Sequence, residues 1–453
     1  MEAAIIIVFV LGYLAIALEH PLRIDKAASA LILGVLCWTI FVLGIDVIPE
    51  FLQHELSFFL DQNAHLAESE IMPMFLESRL LHHLSEIASI LFFLMGAMTI
   101  VETIDAHEGF RIITEKIRTT NKVKLLWIVS ILTFFLSAVL DNLTTTIVMV
   151  SLLRKLISDK ETRWFYVGFV IIAANAGGAW SPIGDVTTTM LWIKKQIPDV
   201  PSIVQHVFLP SVATIVVPLA YLSYKMKGNL VRPEAREKGN GDISISKKDR
   251  NVVFFMGIAG LLFVPVFKTV THLPPFMGMM FSLGVLWVAT EILHGRKLLT
   301  QKRHLSILST LRRIDMPSVL FFLGILLGVA ALQEVGTLRN LAAFLDESIG
   351  NIYVINIAIG LLSAIVDNVP LVAAAQGMYE IAATGPFAAD GIFWLFLAYC
   401  AGTGGSVLII GSAAGVAAMG LERIDFIWYL KKMSLLALIG YGAGAALFIL
   451  IHV

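Results

Sequence analysis

Long apolar blocks of bilayer size constrain this chain more than any other feature. A membrane-crossing helix takes about 20 mostly apolar residues. Stretches of that kind fall at 3–18, 27–44, 86–102, 164–192, 207–224, 251–271, 276–293, 317–332, 391–420 and 433–451. Two further apolar stretches, 125–156 and 352–378, are interrupted near the middle by an Asp-Asn pair. Composition agrees: 57% of the 453 residues are hydrophobic and 15% are charged, with mean hydropathy +0.83. A soluble domain carries about 25% charged residues. An ordinary soluble enzyme, a disordered chain and a nucleic-acid binder are therefore excluded. The 33 Lys and Arg against 34 Asp and Glu leave a net charge of −1, so only the placement of charge is informative.

Lys and Arg collect on the cytoplasmic side of membrane proteins. With the 19–26 loop inside, the inner segments hold Arg23 and Lys26, five basic residues in 103–124, four in 154–163, eight in 225–250, six in 294–316, and Arg423, Lys431 and Lys432. That leaves Arg79, Lys194, Lys195, Lys268 and Arg339 elsewhere. The partition requires 125–156 and 352–378 to enter and leave on one side each, as re-entrant hairpins. Irregular backbone at membrane depth is tolerated only where protein or a watery cavity surrounds it. Ten spans and two hairpins put both termini outside. The acidic 45–83 segment reads as an external loop with a short interfacial helix, and 104–121 as an amphipathic helix on the inner surface. Met1-Glu2-Ala3 opens a retained span rather than a signal peptide. Cys37 and Cys400 lie inside apolar blocks, with neither disulfide nor zinc spacing.

The chain repeats itself. Leu136-Ser137-Ala138-Val139-Leu140-Asp141-Asn142 returns as Leu362-Ser363-Ala364-Ile365-Val366-Asp367-Asn368. Leu91-Phe92-Phe93-Leu94 returns as Leu320-Phe321-Phe322-Leu323, and Gly177-Gly178 with Gly184 as Gly404-Gly405 with Gly411. Landmarks kept in order and spacing are the signature of a repeat. The expected halves are 1–224 and 251–453, joined by a polar cytoplasmic linker at 225–250. Each half has five spans and one hairpin, and an odd number of spans inserts the second half upside down. The fold class read from the sequence is an all-α polytopic membrane protein with two inverted repeats and broken helices at the midplane. That architecture marks a secondary transporter.

Polar groups at membrane depth are few, and each is a functional candidate. Asp141 and Asp367 sit at the hairpin tips, and Asp185 follows the Gly-rich break in 164–192. Glu86, Glu102 and Glu291 lie at span ends, where solvent explains them. No Lys, Arg or His falls mid-span, which disfavours a His metal site or His proton relay. Carboxylate oxygens with the neutral carbonyl of Asn142 or Asn368 make a hard-cation ligand set. Thr144 and Ser363 lie in the tip motifs. Asn175, Ser181, Asp185, Thr187, Thr188, Thr403, Ser406 and Ser412 offer further oxygens in the broken spans, 164–192 and 391–420. The Gly-rich runs lack the Gly-Lys-Ser/Thr of a phosphate loop. No Ser-His-Asp or Cys-His set is visible, so neither an enzyme nor a resident cofactor is expected.

At 136–146, 175–189 and 362–370 the chain resembles the NhaD-type sodium/proton antiporters. These belong to the ion transporter superfamily, with the divalent-anion/sodium symporters and arsenite permeases. The resemblance covers nearly the whole chain. In the symporters the tips read Ser-Asn-Thr. Here Asp141 and Asp367 take the Ser position, and Leu143 and Val369 the Thr position, which favours a cation site. The resemblance implies a homodimer, with a scaffold domain and an elevator-type transport domain, in the bacterial inner membrane.

The expected activity is exchange of Na+ or Li+ for H+. Asp141 and Asp367 would carry cation and proton in turn. Asn142, Asn368, Asn175 and Thr187 or Thr188 would be neutral ligands, and Asp185 a third carboxylate tuning the site. Two alternatives stay open: sodium-coupled uptake of a small anion such as a dicarboxylate, and arsenite export.

Overall fold

The computed structural model describes residues 1–45, 52–63, 65, 67–114, 116–117, 119–231, 245–295 and 305–452. The chain runs through α1 (Glu2–Ala17), α2 (Lys26–Gly44), α3 (Gln53–Gln62), α4 (Glu68–Ala106), α5 (Lys122–Leu140), α6 (Asn142–Leu156), α7 (Lys160–Ala179) and α8 (Val186–Ile193). It continues through α9 (Val200–Lys225), α10 (Lys247–Thr271), α11 (Pro275–His294), α12 (Met316–Glu334), α13 (Thr337–Ser348) and α14 (Ile352–Leu362). The last elements are α15 (Asn368–Met378), α16 (Ile392–Gly404), α17 (Ala413–Glu422), α18 (Phe426–Lys432) and α19 (Ser434–His452). Among the described residues, eight helices are long and apolar enough to cross a membrane: α2, α4, α5, α9, α10, α11, α12 and α19. The protein is an all-α, multi-pass membrane protein.

Polar caps start many of these helices. Asp25 accepts from the Ala27 amide at 2.8 Å, Asn121 from Lys124 at 2.9 Å, Asp159 from Thr162 at 2.8 Å and Asp425 from Trp428 at 2.8 Å. Each satisfies an amide that has no partner within the helix.

Two sequence expectations need correction. The 45–83 segment is not mainly loop, because α4 starts at Glu68 and buries Phe75 and Leu76 on one face. An amphipathic stripe carries the helix well beyond the apolar block. Nor is 104–121 one helix. α4 ends at Ala106, Glu108 adopts φ +54°, and the Gly109 amide returns to the Ile104 carbonyl at 2.8 Å. This left-handed stop is hidden in sequence because its left-handed residue is Glu. Only a short helix, Arg111–Thr114, follows. Parts of the expected external loop (46–51), the linker (232–244) and the basic 294–316 segment (296–304) lie outside the described residues.

The chain divides into two compact units. The first comprises Met1–Phe92, Asp315–Gly350 and Ala373–Glu380. Within it α2 crosses α12 where Gly34 meets Gly324: a Cβ on Gly34 would lie 2.5 Å from the Gly324 carbonyl oxygen. The Trp38 indole donates to the Leu327 carbonyl at 2.9 Å. Glu334, at the end of α12, is buried and takes the Arg79 guanidinium through two nitrogens and the His83 Nε2 at 2.7 Å.

The second unit comprises Phe93–Ile314, Asn351–Val372 and Ile381–Val453. Its innermost elements are α7 and α16. Every residue from Tyr166 to Ala179 and from Phe393 to Gly404 is buried. A helix apolar on all sides is buried on all sides. α5 and α6 form a hairpin: Tyr166 donates to the Lys122 carbonyl at 2.6 Å and Arg163 to the Ile157 carbonyl at 2.9 Å. The outer ends of both arms thus meet the start of α7. The buried His107 and His294, which sequence did not single out, face each other with Nε2 atoms 3.2 Å apart.

Candidate ion-binding site

Four helix interruptions build the site, and all of its residues belong to the second unit. α5 stops at Asp141, where φ +79° reverses the chain, and α6 starts at Asn142. α7 stops at Ala179 and α8 resumes at Val186, with Asp185 as its N-cap. α14 stops at Leu362 and α15 starts at Asn368. α16 stops at Gly404 and α17 resumes behind its N-cap Ser412.

Matching contacts hold these interruptions. The Ser137 hydroxyl donates to the Ala174 carbonyl at 2.6 Å, and Ser363 donates to Ala401 at 2.9 Å. Gly177 packs under the Phe134 carbonyl and Gly404 under the Gly360 carbonyl, so closely that a Cβ on either would collide. Asp185 and Ser412 have nearly equal backbone angles, φ −149° and −146°.

Asp185 is the hub. Its Oδ2 accepts from the Asn142 amide nitrogen at 2.6 Å, and the Asn368 amide nitrogen lies 3.3 Å from the same oxygen. Its Oδ1 accepts from the Thr187 backbone amide at 3.0 Å. Asn142 also donates to Asn175 Oδ1 at 3.0 Å. Asn175 in turn donates to Ser406 Oγ at 3.0 Å and Ser412 Oγ at 2.9 Å. Asn142, Asn175, Asp185, Thr187, Asn368, Ser406 and Ser412 are all buried. The Thr187 hydroxyl is buried beside the Asp185 carboxylate.

The other sequence candidates sit differently. Asp141 and Asp367 are half-buried and cap their own arms. Asp141 Oδ1 accepts from the Thr144 amide at 2.8 Å and its Oδ2 from the Thr144 hydroxyl at 2.9 Å. Asp367 accepts from the Val369 amide at 3.2 Å. Thr188 and Thr403 spend their hydroxyls on the Asp185 and Tyr399 carbonyls, at 2.9 and 2.6 Å. Ser181 bonds the Ala138 carbonyl at 2.6 Å. The two threonines thus bond within their own helices, whereas Ser181 and Ser363 fasten one element to another. Ser137 does the same work and was legible only as the repeat partner of Ser363.

Helix N-termini carry partial positive charge. Those of α6, α8, α15 and α17 are marked by Asn142, Asp185, Asn368 and Ser412, which share one hydrogen-bonded network. Amide donors, rather than carbonyl oxygens, face Asp185 in this structure. A cation at that carboxylate would require asparagine carbonyl oxygens in place of the amide nitrogens, a half-turn of each side chain. Among the described residues, no group of three or more His, Cys, Asp or Glu could hold a metal ion.

Comparison with known proteins places this chain among transporters. A family model described as "Citrate transporter" (CitMHS) matches residues 6–402. "Sodium/proton antiporter 1" of Arabidopsis thaliana is 45% identical over 454 residues, covering 100% of this chain and 73% of the relative. "Sodium/proton antiporter 2" of the same plant is 43% identical over 446 residues, covering 98% and 99%. "Na(+)/H(+) antiporter NhaD" of Vibrio parahaemolyticus is 31% identical over 389 residues, covering 80% and 89%.

Proposed function

We propose that this chain, which belongs to the citrate-transporter family and within it to the NhaD-type sodium/proton antiporters, exchanges Na+ or Li+ for H+ at Asp185. The observation that carries the reading is the meeting of both tip asparagines on one buried carboxylate. A carboxylate removed from water takes up either a proton or a cation to neutralise its charge. A proton on Asp185 removes the reason for asparagine carbonyls to gather, and a cation drawn in by those carbonyls leaves no room for the proton. Loading one therefore expels the other. Asp141 and Asp367, half-buried at the tips, pass ions between this centre and water. Asn175 sets the angle of Asn142, and Ser406 and Ser412 set Asn175.

The alternatives are weaker here. A dicarboxylate would use the helix N-termini, but the protein's own Asp141, Asp185 and Asp367 already occupy that region. No observation favours arsenite.

The proposed frame is two inverted repeats, 1–224 and 251–453, around the 225–250 linker. Contacts recurring at a nearly constant offset support it, Ser137 with Ala174 and Ser363 with Ala401 among them. Alternating access by an elevator motion of a homodimer, in a bacterial cell membrane with both termini outside, completes the proposal. Its support is the family resemblance and the confinement of all site residues to one compact unit.

The test is sodium-driven pH change in everted vesicles carrying the protein. Wild type dissipates the gradient with Na+ and Li+, and Asp185→Asn does not, although it reaches the membrane in equal amount. Full exchange by Asp185→Asn overturns the assignment. Uptake of labelled dicarboxylate by wild type, without proton exchange, would favour the symport reading instead.

A further inference from the structure

A second feature of the same unit lies away from Asp185. A cavity of about 340 Å³ opens between the end of α4, the Arg111–Thr114 helix, α6 and Leu421 of α17. Its walls carry Asp105, Glu108, Arg111, Arg154 and Lys155, and the exposed Ser151. At about 30 Å³ per water it has room for on the order of ten waters, and so many charged groups keep it wet.

We infer that this cavity is the inner vestibule by which Na+ and H+ reach the exchange site, an inference that rests on the exchange reading above. Two helices rooted at the site end at the cavity. α6 starts at Asn142, α17 starts behind Ser412, and both reach the cavity wall at their far ends. Ile147 on that wall is about 9 Å of helix rise beyond Asp141, at 1.5 Å per residue. Most of the wall charges are paired: Glu108 pairs with Arg111, and Arg154 pairs with the buried Glu422 just behind the wall, which also takes Arg163. Asp105 faces the same space as Lys155. The walls thus carry both signs of charge side by side and are polar, as suits a watery passage.

Part of the cavity lining is apolar. Phe110 and Val148 belong to it and also to the buried cluster that holds Leu140 and Ile183. Leu140 directly precedes Asp141, and Ile183 lies two residues before Asp185. An apolar layer of this cluster therefore stands between the water and the carboxylates. It shields the site in this state and must part for ions to pass. The inward direction follows from the basic residues of 103–124 and 154–163.

The test uses the full-length chain with Cys37→Ala and Cys400→Ala, since both native thiols are buried, plus Ser151→Cys. Before labelling, this variant exchanges Na+ for H+. In everted vesicles a membrane-impermeant methanethiosulfonate reagent modifies the new cysteine, and exchange is lost. In right-side-out vesicles the reagent has no effect. Modification from the outer face only, modification without loss of exchange, or no modification from either face overturns the vestibule. Labelling is read by protein mass, so it stays readable if wild type itself shows no sodium-driven proton movement, the result that would instead overturn the exchange reading. A second variant guards against misfolding. Asp105→Asn should raise the half-saturating Na+ at the inner face about threefold at low ionic strength, by loss of local attraction, with the maximal rate unchanged. An unchanged Na+ dependence counts against the vestibule.

Discussion

Asp185 takes its hydrogen bonds from two asparagines more than two hundred residues apart in sequence, Asn142 and Asn368. A hydrogen bond to a charged group contributes about 1.5–3 kcal/mol. In the cation-loaded state each asparagine would turn its carbonyl to the ion, and losing such a contact to a charge should weaken cation binding by at least about tenfold, since 1.4 kcal/mol is a factor of ten. The expected outcome for Asn142→Ala and for Asn368→Ala is a tenfold or greater rise in half-saturating Na+. An unchanged value in either variant would show that its asparagine is a spectator. The hydroxyls that bond to backbone carbonyls should behave differently. Thr403→Val should leave Na+ dependence intact and lower stability by about 1 kcal/mol, read as a lower melting temperature in detergent. Sequence named most of this residue set but ranked it differently, with the paired Asp141 and Asp367 ahead of Asp185. Asp185 has no carboxylate counterpart in the second half, where Ser412 stands in the equivalent place, so repeat logic alone does not single it out.

At the scale of elements, the interruptions depend on a few backbone features. Asp141 holds φ +79°, a region that costs a non-glycine residue roughly 1–3 kcal/mol, and its carboxylate offsets part of that by capping α6. Asp141→Ala keeps the strain and loses the cap, at about 1 kcal/mol. Asp141→Gly also loses the carboxylate but removes the strain. The glycine variant should therefore melt above the alanine variant, and equal melting temperatures would argue that the tip relaxes freely. Gly404→Ala tests the same point elsewhere: its new methyl group would run into the Gly360 carbonyl, and overpacking of this kind costs about 1–3 kcal/mol. The Asp-Asn interruptions and Gly-rich breaks were readable as departures from a continuous apolar run. The stop at Glu108 and the early start of α4 were not, because one uses a residue that rarely adopts positive φ and the other an amphipathic stripe beyond the apolar block.

For the molecule as a whole, buried charge clusters do what no apolar block announces. Glu334 receives Arg79 and His83 inside the first unit. Deleting it would leave those groups without their anion, and breaking a buried pair costs about 3–5 kcal/mol. Glu334→Ala should therefore unfold at markedly lower temperature than wild type, while Arg339→Ala, whose exposed Glu380 partner is worth at most about 1 kcal/mol, should not. A small effect of Glu334→Ala would mean that water reaches the cluster. Arg79 counted only as a misplaced charge in the inside-outside balance, since nothing along the chain shows that it meets a residue at the end of α12.

The sequence by itself determined that this is an all-α membrane protein, where its helices break, and which polar groups lie at membrane depth. Block length, charge placement and repeat spacing are properties along one dimension, and the bilayer reads them directly. Only the tertiary structure decided which of those polar groups face one another. A buried hydroxyl or amide is satisfied equally well by a carbonyl four residues away or by a partner two hundred residues away. That choice belongs to packing, and it put Asp185 between Asn142 and Asn368.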